Sequence, residues 1–232
     1  VDNGVFAEEV HLPWRARRGH VRRLDGWVKR VSEQRAIEWS LASHRGNAQA
    51  SGARIQTVSV ELIRHVNAVV ADLAAEHGEI DLVGRRAECS MATYDTLRRT
   101  FETTGVIGGA GIRVQNGDET LFVRYEGSDG WVDPGDGRRP SESHVECARR
   151  GVKTATGIEA TIDGLAQVQL LHMDDPTDRE PIPNPYLSFS GTRVAGDLRP
   201  GEGVKAVRWM TDPPGELLYE ELAELPLADQ ER

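Results

Sequence analysis

The sequence predicts an α/β protein of the α+β kind: a mixed sheet sandwiched between helices, with a helical segment added on its N-terminal side. Three observations carry this. Helical periodicity dominates up to Thr104, short β-like runs take over from Gly105, and one internal helix stopped by glycine lies among those runs. Strands on both sides of an internal helix, with a further helix at the end, form a sheet covered by helices. The expected division is a helical segment over 1–103 and a sheet-bearing domain over 104–232.

Composition bounds the rest. The 232 residues are 38% hydrophobic and 28% charged, enough for one sizeable core or one domain plus a smaller one. No apolar run reaches the length of a membrane span, and the first residues lack a charged-then-apolar leader pattern. Cys89 and Cys147 stand far apart. The expectation is a cytoplasmic protein with free thiols and no membrane partner. The net charge of −9 is unevenly spread: from Gly105 onward 13 basic residues face 23 acidic ones. That disfavours duplex nucleic acid as a partner of this part. Only Lys29, Lys153 and Lys205 are lysines, an Arg-rich, acid-rich balance like that of salt-adapted archaeal proteins or of a GC-rich genome.

Residues 1–13 show no periodicity and read as an arm. From Trp14 to Arg30 the chain is basic, with Asp25 the only acid, and Val21, Leu24, Val28 and Val31 recur at helical spacing. This amphipathic helix either docks on the acidic domain or contacts nucleic acid or a protein partner, with Trp14 and Trp27 as stacking or anchoring rings. Residues 44–52 read as a loop. Val58–His77 reads as a helix with Leu62, Ile63, Val66, Val69, Val70 and Leu73 inward, and Ser90–Thr104 as another with Met91, Tyr94, Leu97 and Phe101 inward. His65 and His77 stand alone in this pattern.

Runs over 106–114 and 120–125 flank Asn116-Gly117, a hairpin signal. Gly105, Gly108, Gly109 and Gly111 match neither a phosphate-loop nor a dinucleotide pattern, and read as a close-packed strand. Then comes the stretch WVDPGDGRRPSESHVECARRGVKTATGI, from Trp131 to Ile158: a strand end, a Pro-Gly turn and a helix stopping at Gly157. Further strands are expected near 165–171, 186–194 and 204–210, and a last helix over 216–225, with an acid- and proline-rich loop between the first two strands.

This hairpin, W-x-x-P-G turn, Glu, Ala-x-Arg helix and Thr-Gly end resemble the Nudix hydrolases, over roughly 105–225. Aligning the family's box, G-x5-E-x7-R-E-U-x-E-E-x-G-U with U aliphatic, on Gly157 and Ile158 places Glu142, Arg150 and Val152 on matching positions. Asp136 stands at the leading glycine, Gly151 at the glutamate after the arginine, and Thr154 and Ala155 at the glutamate pair. The resemblance implies a nucleotide-derivative ligand, hydrolysis of an acid anhydride, and Mg or Mn held by helix carboxylates. Its catalytic candidates are Glu142, Glu146 and Arg150, with Glu142 and Glu146 as metal ligands. Trp131, Asp136, Arg138, Arg139 and Tyr186 are ligand-binding candidates, and Phe189 and Trp209 are further rings that could stack a base.

A helical wheel weighs against conventional catalysis. Cys147, Gly151, Thr154 and Ala155 share the face where a metal would sit, and none is charged. The expected function is therefore recognition of a nucleoside-diphosphate-linked ligand with metal-dependent hydrolysis impaired or altered. Two alternatives stay open. One is an active pyrophosphohydrolase with relocated ligands among Asp133, Asp136, Glu142, Glu146, Asp174, Asp175, Asp178 and Glu180. The other is a nucleotide-sensing regulator or interaction module. A homodimer is compatible with either.

Overall fold

The computed structural model describes residues 51–77, 80–177, 179–218 and 220–223. The basic helix expected over 14–30, the arm, Asp178 and the end of the expected last helix lie outside them. Helix α1 spans Ser51–His77, strand β1 Leu82–Glu88, helix α2 Met91–Thr104, β2 Gly109–Asn116, β3 Glu119–Tyr125 and β4 Gly135–Gly137. Helix α3 spans His144–Thr156, followed by β5 Glu159–Ala160, β6 Gly164–Asp174, β7 Ile182–Ala195, β8 Val204–Met210 and a 3₁₀ turn, Glu220–Ala223.

The sheet is mixed, in the order β1-β6-β7-β2-β3-β8, with β4 on β2 and β5 on β7. β1 runs parallel to β6 and β2 parallel to β7, while β6–β7, β2–β3 and β3–β8 are antiparallel. Alternation along β2 sorts its side chains. Ala110, Ile112 and Val114 join Ala148 and Val152 of α3 and Val168, Leu187 and Phe189 in one core. Arg113 belongs to the other face, where it ion-pairs with Asp133, the two being 2% and 3% exposed.

Strand β1 was not expected. The segment 1–103 was read as helical, yet LVGRRAE pairs along its length with β6, Leu82 opposite Val168 through Glu88 opposite Asp174. Its alternation of small, apolar and arginine residues is too short to stand out from the helices on either side. Leu62, Val66, Ala87, Tyr94, Leu97 and Phe101 share a cluster with Ile107, Val123, Leu171 and Tyr186. The boundary at 103/104 therefore does not separate two cores.

Other differences have local causes. α1 begins at Ser51, inside the expected loop. Ile63 and Met91, expected inward, are 42% and 50% exposed. β7 begins at Ile182 despite Pro183 and Pro185. Both prolines lie opposite β6, at His172 and Leu170, and before the pairing with β2 starts at Tyr186, so at these positions β7 is an edge on its β2 side, where proline is tolerated. Of the expected helix over 216–225, the described residues form only the 3₁₀ turn Glu220–Ala223. Trp131 N–H donates to Glu216 O at 2.7 Å and Leu218 N–H to Trp131 O at 2.8 Å, which makes Leu217 an isolated parallel bridge to Trp131. Leu218 and Leu222 are buried.

Candidate functional site

Helix α3 starts on Ser143, whose hydroxyl accepts from Glu146 N–H while Glu146 accepts back from Ser143 N–H, a reciprocal capping box. It ends on Gly157 at φ 76, a left-handed cap that glycine adopts without a Cβ penalty. The preceding loop is tightly held. Both peptide groups of Gly135 meet the Tyr125 hydroxyl, which donates to Gly135 O at 2.8 Å and accepts from Gly135 N–H at 3.3 Å. The expected Pro-Gly turn is not a turn: Gly135 opens β4, opposite Gly111. Glycine is needed there for approach, since a Cβ would lie 2.6 Å from Ala110 O and 2.7 Å from Gly111 Cα.

Gly151 has the same cause. A Cβ on it would sit 2.7 Å from Asp136 N, 2.7 Å from Gly135 C and 2.9 Å from Gly135 Cα. The α3 face carrying Cys147, Gly151 and Ala155 is buried, with Gly151 against the backbone of β4, while Thr154 is exposed. Cys147 donates its S–H to Asp136 O at 3.3 Å. Burial, against the Arg150 charge, pushes the Cys147 thiol up to about 12, so it stays protonated near neutral pH.

Arg150 organises the acids. Its guanidinium donates to Glu142 Oε1 at 2.6 Å, to Glu142 Oε2 at 2.8 Å and to Gly137 O at 2.8 Å, and it also pairs with Asp136. Glu142 additionally accepts from Arg139 N–H at 2.8 Å. Burial works against the Arg150 charge, but Glu142 and Asp136 outweigh it and raise its pKa. Burial likewise pushes the Glu142 carboxyl up, but the bonds from Arg150 and Arg139 N–H hold it below the ordinary range. Ser141, at φ 63, turns the chain so that Glu142 can reach back, in a conformation costing a non-glycine residue about 1–2 kcal/mol.

The catalytic candidates therefore meet one another rather than an open space. Glu142 and Arg150 form a clamp across the loop, and Glu146 caps the helix. Of the relocated acids, Asp136 and Glu142 converge on Arg150, and the others are spread apart. Asp133 pairs with Arg113, Asp174 with Arg86, and Asp175 with Arg179. Among the described residues no three His, Cys, Asp or Glu side chains are placed to hold a metal ion. This donor set does not fit Mg or Mn.

The ligand-binding candidates are scattered. Trp131 is buried with Phe122, and Arg208 lies 5.5 Å above its ring. Tyr186 is 7% exposed, its hydroxyl against Gly111 and Gly135. Phe189 is core, and Trp209 packs against that core. Arg139 is exposed. Arg138 is part-buried and donates to His144 Nε2 at 3.3 Å, its backbone N–H held by Gly108 O. Its Nε and His65 Nε2 are buried with no hydrogen-bond partner among the described residues.

No protein-family model matches the chain, and no curated protein matches it by sequence. Among solved structures it is similar to a Nudix hydrolase from Nitrosomonas europaea, at 19% identity and TM-score 0.41, over 50% of this chain and 64% of that one. It is similar to an ADP-ribose pyrophosphatase from Streptococcus suis at 14% identity and TM-score 0.39, over 51% and 85%. A UDP-X diphosphatase matches at 13% identity and TM-score 0.40, over 82% and 85%. The likeness is to Nudix hydrolases. It is a likeness of architecture, and it spans under two thirds of the Nitrosomonas chain, so the chemistry rests on this chain's own residues.

Reading by residue type and spacing reached Glu142, Arg150 and Gly151, because they share one motif. It missed the importance of His65 and passed over His144. Nothing in the spacing of α1 indicates that His65 comes near the loop before α3.

Proposed function

We propose that this chain is a Nudix-fold protein that recognises a nucleoside-diphosphate-linked ligand, with metal-dependent pyrophosphate hydrolysis lost or altered. The observation that carries the second half is the seating of Gly151 on Gly135 and Asp136. A glutamate there would have no room, so the helix face that would gather Mg or Mn is instead a packing surface. Glu142, Arg150 and Asp136 close the loop onto it. Arg138 and Arg139, just before α3, supply cations that support anion recognition without a metal.

The test is incubation with ADP-ribose, dinucleoside polyphosphates and NADH, with Mg or Mn, following phosphate-containing products and the melting temperature. The expected result is no turnover and a ligand-dependent rise in melting temperature. Metal-dependent turnover abolished by Glu142→Gln would instead establish an active enzyme with unconventional ligands. Neither turnover nor stabilisation would leave an interaction module.

A further inference from the structure

Three basic side chains from three parts of the fold act on one another beside the start of α3: Arg138 bonds to His144, the Arg138 charge reaches His65, and His65 in turn reaches His144. Arg138 comes from the loop after β4, His144 opens α3, and His65 projects from the middle of α1. Arg138 donates to His144 Nε2 at 3.3 Å. An arginine only donates, so this ring nitrogen accepts and His144 is neutral in this arrangement. His65 is oriented by Phe101 of α2, with ring centroids 5.6 Å apart. Two nitrogens of the group, Arg138 Nε and His65 Nε2, are buried without a hydrogen-bond partner among the described residues.

The electrostatics are one-sided. Burial first, then the Arg138 charge, lowers the pKa of His65. Burial, Arg138 and His65 push His144 down to about 4. Burial lowers Arg138 itself, and the opposing groups it feels are Cys147 and Glu142. Cys147 is uncharged near neutral pH, and both Glu142 oxygens are held by Arg150. Among the described residues no carboxylate bonds to Arg138, His65 or His144. Buried polar groups are ordinarily satisfied, and those left over call for a partner. All three residues keep part of their surface exposed, so the cluster reaches solvent.

We propose that Arg138, His144 and His65 form a seat for one tetrahedral oxyanion, the phosphate of a nucleotide or free inorganic phosphate, at the junction of α1 with the start of α3. An oxyanion supplies several acceptor lone pairs to a cluster rich in donors and short of acceptors. The anion would also tie α1 to the loop and helix. That this phosphate belongs to a nucleotide rests on the proposed function; the seat itself does not.

The test is a calorimetric titration of the full chain with sodium sulfate at constant ionic strength, repeated with ADP and ADP-ribose. Saturable 1:1 sulfate binding is expected, with a rise in melting temperature. Arg138→Met should weaken it by roughly tenfold to a hundredfold, as loss of a charged hydrogen-bonding group does. His65→Gln should weaken it less. Removing the part-buried Arg138 charge, to which no described carboxylate bonds, should cost the unliganded protein little stability, which loss of a purely structural arginine would not. If Arg138→Met fails to fold, Arg138 is structural and the seat is overturned unless His65→Gln folds and loses sulfate affinity. Absence of sulfate binding, or equal binding by the variants, overturns the seat. Sulfate binding through Arg138 without any binding of ADP or ADP-ribose keeps the seat and removes the nucleotide reading. ADP-ribose binding undiminished in Arg138→Met does the reverse.

Discussion

Gly151→Ala separates two opposite expectations. In an exposed helix interior the change stabilises, because alanine is favoured over glycine by about 0.5–1 kcal/mol. Here the new methyl would lie 2.7 Å from Asp136 N and Gly135 C and 2.9 Å from Gly135 Cα. All three are backbone atoms of a strand pinned by pairing with β2 and by the Tyr125 hydroxyl. Overpacking against atoms that cannot rotate away costs about 2–3 kcal/mol, the upper part of the usual range. The net is a loss of about 1–2 kcal/mol, or roughly 2–8 °C in melting temperature for a chain of this size. Urea denaturation of Gly151→Ala beside Arg149→Ala, an exposed control on the same helix, reads it directly. A stabilised Gly151→Ala would refute the packing account and reopen this helix face as free space. Gly151→Glu, which restores the carboxylate of the Nudix pattern, should lose still more stability and gain no metal-dependent turnover.

Glu142→Gln should lower stability at neutral pH by about 1–2 kcal/mol, since Arg150 keeps Asp136 and Gly137 O as partners. Its folded pKa is depressed, so its contribution is complete above the ordinary carboxylate pKa and is lost as pH falls through the lower folded value. Wild type and variant should therefore converge in acid; parallel stability profiles would contradict this. Asp133→Asn leaves the Arg113 guanidinium buried without its carboxylate, a loss of about 3–5 kcal/mol. Because Arg113 also donates to Leu222 O, limited proteolysis near 216–223 should accelerate, and an unchanged urea midpoint would sink the expectation. Cys147, fully buried and with its thiol pushed up to about 12, should resist a maleimide in the native state and react only on unfolding. Fast native labelling at that residue would show the α3–β4 contact to be open.

What the sequence determined by itself is local. Stripes such as Tyr94, Leu97 and Phe101 marked the helices, Asn116-Gly117 marked the hairpin, and Gly157 marked the end of α3, because periodicity and turn chemistry act over a few residues. The neutrality of the α3 face was also legible, since a helix places residues by number alone. Strand β1 was not, because a short strand is defined by the β6 partner it meets. The bridge of Leu217 to Trp131 was not, because backbone bonds to Trp131 override the helical spacing of 216–218. Nor could spacing decide whether Gly151 leaves a gap or fills one. Only the approach of β4, held by Tyr125 and drawn toward Arg150 through Asp136, makes it a contact. The meeting of His65 with Arg138 and His144 belongs to the same class. It depends on where α1 lies on the sheet, and long-range packing of that kind leaves no mark in local sequence.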